Sequence, residues 1–159
     1  MSDDRHLLTD IRLALRQHEL RPVYSVDTDR RRVPNVTGLL EDIGVVAGRD
    51  NLAQAVVLRL LTPRGELASL GHPEYGSRLH ELIGRPNTET TRNLMRLFIL
   101  ESLAQEPRIE KVQEVRVTPV DGSRTREDVR HRVNVLLSVK PVGPTATVTI
   151  GPFTLELAP

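Results

Sequence analysis

Arg132-Val133-Asn134-Val135-Leu136-Leu137-Ser138-Val139-Lys140 sets Val133, Val135, Leu137 and Val139 against Arg132, Asn134, Ser138 and Lys140, an alternation of period two. Successive side chains of a strand point to opposite faces, so the stretch predicts a strand with one apolar face. Upstream, Val115 and Val117 alternate with Glu114, Arg116 and Thr118, which predicts a partner strand. Asp121-Gly122-Ser123 opens a charged connection between the two, as expected of a hairpin with a long tip. Downstream, Val148 and Ile150 and then Phe153, Leu155 and Leu157 alternate again, and the phase slips at Gly151-Pro152. A bulge or break is expected there, bending or splitting a third strand.

Before Pro107 the period is helical. From Asp50 or Asn51, either a good N-cap, the run Leu52 to Leu61 is apolar on nearly every side and ends at Pro63, so this helix belongs in the middle of the fold. A short helix is expected around Arg78 to Ile83, closed by Gly84. Pro86-Asn87 then caps a longer helix, Thr88 to Gln105, with Leu94, Met95, Leu97, Phe98, Ile99 and Leu103 facing inward. At the N-terminus Leu7, Leu8, Ile11, Ala14, Leu15 and His18 fall on one helical face, which predicts an amphipathic helix over residues 3 to 20. Pro22 stops it, and Val23 to Pro34 reads as a polar linker with room for one short edge strand. The expected organisation is residues 1–21 as an N-terminal helix and 22–159 as a single domain. Helices first and strands second define an α+β fold, with helices packed on one face of a small antiparallel β-sheet formed mainly by the C-terminal half.

Composition excludes more than it names. Twenty-two Lys+Arg against 21 Asp+Glu give a net charge of +1, too little to draw nucleic acid or anionic lipid. There is no cysteine, hence no disulfide, thiolate metal site or cysteine nucleophile. The acidic start and the absence of a long apolar run predict neither signal peptide nor membrane insertion, so a cytoplasmic or particle-borne protein is expected. Tyr24, Tyr75, Phe98 and Phe153 are the only aromatics, a poor supply of stacking floors for bases or sugars.

No cofactor, metal or catalytic residue is assigned. His6, His18, His72, His80 and His131 lack the short pairings of zinc helices, and no P-loop, G-x-G-x-x-G or G-x-S-x-G is present, Gly76-Ser77 standing alone. Arg30-Arg31-Arg32 reads as a solvated surface beside Asp27 and Asp29. Glu66 with Glu74 or Glu81 would be the carboxylates of a lysozyme-like hydrolase, the alternative enzyme reading. Glu106-Pro107-Arg108 stands where the long helix ends and the sheet begins, and Arg108 has the planar fork that meets a carboxylate bidentately.

Four motifs in order, Asn51-Leu52-Ala53-Gln54-Ala55, Leu60-Leu61-Thr62-Pro63-Arg64-Gly65-Glu66, His72-Pro73-Glu74-Tyr75-Gly76-Ser77 and Glu106-Pro107-Arg108, carry a resemblance over roughly residues 45 to 140. The chain resembles the baseplate wedge family of contractile phage tails, type VI secretion and extracellular contractile injection systems, small α+β proteins with an old lysozyme-like label. The resemblance implies a structural, non-enzymatic part that joins the wedge to the first sheath ring and starts sheath assembly. Its implied partners are sheath subunits and other wedge proteins, with tube or hub proteins as further neighbours. It implies that Glu106, Pro107 and Arg108 secure the protein in the baseplate. Strand addition to a receptive sheet would use Val148, Ile150, Phe153, Leu155 and Leu157.

Overall fold

The computed structural model describes residues 4–15, 24–32, 39–120 and 131–157. Its C-terminal half is a three-stranded antiparallel sheet in the order β7-β8-β9, from β7 (Ile109–Pro119), β8 (Arg132–Pro141) and β9 (Val148–Glu156). Along β8 burial alternates residue by residue, with Val133, Val135, Leu137 and Val139 inaccessible to solvent, as the period-two pattern predicts. The expected phase slip is present: Val135 pairs with Phe153 but Leu137 with Ile150, so Gly151 and Pro152, joined by a cis peptide bond, oppose Leu136 alone. The tip between β7 and β8, residues 121–130, lies outside the described residues.

Two helices, α1 (Gly48–Leu61) and α2 (Glu89–Leu103), cover the apolar side of this sheet and complete the core. Leu52, Val56 and Leu60 of α1 meet Met95, Ile99 and Leu103 of α2 and the inward residues of β8 and β9. The opposite side of the sheet is polar, with Lys140 bonded to Glu110 and Arg132 beside Glu156. This is the α+β arrangement that the order of periodicities predicts.

Several local details differ from the sequence expectations. Helix α1 begins at Gly48 rather than after Asp50 or Asn51, and Asn51 is buried, donating to Leu7 O at 2.9 Å. Helix α2 is capped by Thr88, whose hydroxyl accepts from Thr91 N, and not by Asn87. The Asn87 side chain instead donates to Arg132 O. Leu97 points outward, 57% exposed, because it lies on the opposite side of α2 from Met95 and Ile99. The short helix near residue 80 is a single 3-10 turn, Leu79–Leu82.

The largest correction falls on the N-terminal segment. Residues 4–15 are not an amphipathic helix but a 3-10 turn, Asp4–Leu7, followed by β1 (Thr9–Ile11) and β2 (Leu13–Leu15). Residues 16–20 of that expected helix lie outside the described residues. The stretch from residue 23 carries two strands rather than one, β3 (Tyr24–Val26) and β4 (Thr28–Arg32), and β5 (Leu39–Ile43) and β6 (Val45–Ala47) follow. Pairing is β1 with β6, β2 with β3 and β4 with β5, all antiparallel, so three two-stranded arms radiate from one point.

A closed ring of main-chain bonds makes that point. Arg12 N donates to Gly44 O, Gly44 N to Asp27 O and Asp27 N to Arg12 O, at 2.8, 2.9 and 2.9 Å. The Arg12 guanidinium lies over the ring, bonded to Asp27 and Asp29, and a Cβ on Gly44 would sit 2.8 Å from it. Gln54 of α1 fastens the junction to the body, donating to Ile11 O and accepting from Leu13 N. Leu7 is fully buried in the main core, so the segment is anchored at both ends.

Candidate assembly surface

Three of the four sequence motifs meet at one end of the molecule, where α1 and α2 finish and β7 starts, while the first, Asn51–Ala55, lies in the first half of α1, where Asn51 and Gln54 hold Leu7 and the arm junction. Every helix leaves carbonyls without partners at its C-terminus, and here the loop after α1 supplies them. The Ser77 hydroxyl donates to Leu60 O, Ser77 N to Thr62 O and Arg64 N to Ser77 O, which zips the Thr62–Arg64 stretch to Gly76-Ser77. Gly76 has φ +107°, and a Cβ there would lie 2.5 Å from Thr62 O, so this crossing admits only glycine. Ser102 of α2 donates to Gly76 O at 2.9 Å and ties the loop to the second helix.

Glu106 lies at the centre of the end. It is buried, its Oε2 3.3 Å from Arg59 and its Oε1 2.7 Å from Arg108 Nε. Arg59 is itself buried and stacks over the Tyr75 ring, 4.5 Å from its centroid. Burial pushes the Glu106 carboxyl up, but the hydrogen bond and charge of Arg108, with the charge of Arg59, outweigh it and hold its pKa below the ordinary value. Burial raises the Tyr75 phenol. Pro107 is exposed and begins the turn in which Ile109 N bonds to Glu106 O. Arg108 is half-buried, and its main chain starts the sheet through Val142 N to Arg108 O.

A second ionic group lies next to it. Arg64 bridges Glu74 and Glu101, and Arg78 bonds Glu81 at 2.8 Å and stacks on Phe98 at 4.4 Å. Of the carboxylates of the hydrolase reading, Glu74 and Glu81 are thus neutralised by arginine and Glu66 is exposed at the loop. The bond from Arg78 holds the Glu81 pKa below its ordinary value, opposite to what a general acid needs. Among the described residues no group of three His, Asp or Glu side chains is placed to hold a metal ion. No helix among them is long and apolar enough to cross a membrane.

The sequence reading singled out Glu106, Pro107 and Arg108 and missed Arg59, which Glu106 grips. The signal was one charged residue inside the apolar run of α1. Val148, Ile150, Phe153, Leu155 and Leu157, the other partner candidates, are buried in the protein's own core. What β9 offers to the outside is its main chain with Thr149, Thr154 and Glu156.

A two-helix α+β body over one three-stranded sheet, with residues of three motifs spent on holding the helix ends to a loop and to the start of the sheet, has the build of a structural part. The sequence matches the family described as Baseplate wedge protein gp25 over residues 46–142, more than half of the chain, and the protein belongs to that family. It is a structural component of a phage-type baseplate. No curated protein matches the sequence. The matched span starts inside β6, so the three-armed junction lies almost wholly before it.

Proposed function

We propose that the protein joins the baseplate wedge to the first sheath ring and nucleates the sheath by β-strand addition to its C-terminal sheet. The observation that carries the reading is the sheet itself: helices cover one side, and two of its three strands are edges. An edge strand presents unpaired main-chain donors and acceptors, and an added strand gains affinity from them while alternate side chains fix the register. Glu106 is spent inside the chain, so the part of the Glu-Pro-Arg motif left for a neighbour is Arg108. Its Nε holds Glu106, and its remaining N–H groups are directed to a carboxylate or carbonyls of a wedge partner. The protein then works in the cytoplasm within a phage tail or phage-tail-like particle, with sheath, wedge and tube or hub proteins around it.

Affinity purification of the tagged protein from its native cell tests this. Sheath and wedge subunits are expected to accompany it, with no turnover of purified peptidoglycan by the same sample. Turnover without particle proteins would overturn the reading in favour of a hydrolase. Arg108→Ala is expected to leave a folded monomer that builds no full-length sheath, and a wild-type sheath yield from that variant would remove Arg108 from the contact.

A further inference from the structure

Both β7 and β9 are edges, but they are not equivalent. In an antiparallel pair, residues alternate between exchanging main-chain bonds and pointing them away. Val120 N bonds Arg132 O and Leu157 N bonds His131 O, so even-numbered residues of β8 serve β7 and odd-numbered ones serve β9. Val115, Val117 and Pro119 on β7, and Thr149, Thr154 and Glu156 on β9, therefore aim their main-chain groups outward.

The β7 edge is obstructed at several points, although the Val115 main chain has no hydrogen bond from a described residue outside the ladder. Pro119 has no N–H to offer at an outward position. Val117 O already accepts from Arg96 of α2 at 3.3 Å. Register shifts leave Glu110 and Gln113 as extra residues, so the edge is bulged twice within one strand. Proline, bulges and a covering side chain are the devices by which proteins keep an edge from pairing. The β9 edge carries one bulge, at Gly151-Pro152, and Gly84 N takes Leu157 O at its far end. Between those points, Thr154 and Glu156, and before the bulge Thr149, have no hydrogen bond to their main-chain groups from any described residue.

We propose that the incoming strand adds to β9 and never to β7, pairing along Phe153–Glu156 with a second, shorter contact around Thr149. The inference rests on the strand-addition reading above and names its site. The geometry also sets the chemistry of the occupant. Main-chain groups at two-residue spacing accept only an extended segment. On one side its residues continue the layer of Val148, Ile150, Phe153 and Leu155, so alternate positions are apolar. On the other they meet Thr149, Thr154 and Glu156, so the positions between are polar.

Deleting β9 would remove four core side chains and test only folding, so the edge is tested by one atom. Thr154→Pro removes an outward N–H without touching the ladder to β8, a position where an edge strand tolerates proline. Thr154→Ala keeps the N–H. With the purified sheath protein of the same genome as probe, Thr154→Pro is expected to weaken binding about tenfold, the worth of one lost hydrogen bond. Thr154→Ala is expected to bind as wild type, and both variants should unfold at nearly the wild-type temperature. Hydrogen exchange on the wild-type protein reads the same question without mutation. On sheath addition the amides of Thr149, Thr154 and Glu156 gain protection, while those of Val115 and Val117 do not change. Protection at Val115 and Val117 alone would overturn the β9 assignment and leave strand addition standing. A wild-type protein that binds no sheath would overturn both.

Discussion

At the scale of single residues, Glu106 decides how the two helices meet the sheet. With 5% of its side chain exposed and Arg59 at 9%, the pair is a buried one, and removing one partner of such a pair leaves the other charge without compensation. Glu106→Gln keeps the shape and removes the charge, and a loss of about 3 kcal/mol in urea unfolding is expected. The pH dependence follows from the lowered pKa. The folded protein holds the Glu106 proton less tightly than the unfolded chain, so the pair's contribution is complete above the ordinary carboxyl value of 4.5. It disappears as the pH falls through the depressed value. The stability gap between wild type and Glu106→Gln should therefore be constant near neutrality and close in acid, which unfolding curves across a pH series would measure. Glu106 and Arg108 were legible as a motif at a helix exit. Arg59 was not, since it lies 47 residues before its partner and periodicity records which face is buried, not whom it meets.

At the scale of elements, residues 4–15 show how one stretch can satisfy two periods. Leu7, Leu8, Ile11, Ala14 and Leu15 fit a helix, but Leu7, Ile11, Leu13 and Leu15 also fall on odd positions, as a strand requires. Contacts distant in sequence decide between them. Gln54 binds the main chain at Ile11 and Leu13, β6 pairs with β1, and Leu8 takes φ 67°, a value no helix continues through. None of these is visible in the local pattern, whereas β7, β8 and β9 were, because long strands with one buried face write their period plainly. Arg12 is the side chain on which the arms depend, neutralising Asp27 and Asp29 where Asp29 already faces Asp42 across the β4–β5 ladder. Like charges directly opposite weaken a ladder. Arg12→Ala is expected to speed amide exchange severalfold in residues 24–32 and 39–43 while leaving β8 protection unchanged. Equal acceleration in β8 would show that the junction and the core open together.

At the scale of the whole molecule, the order of α1 and α2 before β7, β8 and β9 and the single apolar side of that sheet were available from the sequence because they rest on long periodic segments. The six short strands that precede α1 overturn the expectation that helices come first. The three-armed junction was not available, because its strands are three to five residues long and are defined by one another. Its topology has a further consequence. The chain runs out along β1 and returns along β6, and Ile11 and Val45, the last pair before the ring, are direct partners across that ladder. Replacing residues 12–44 by Asn-Gly, which suits a two-residue hairpin, is expected to leave the body folded with a melting temperature within about 5 °C of wild type. Circular dichroism on heating would measure it. The junction is thus a cassette with both ends at one doorway: a change in the length of its hairpins leaves the distance that the body must span, from Ile11 to Val45, unaltered.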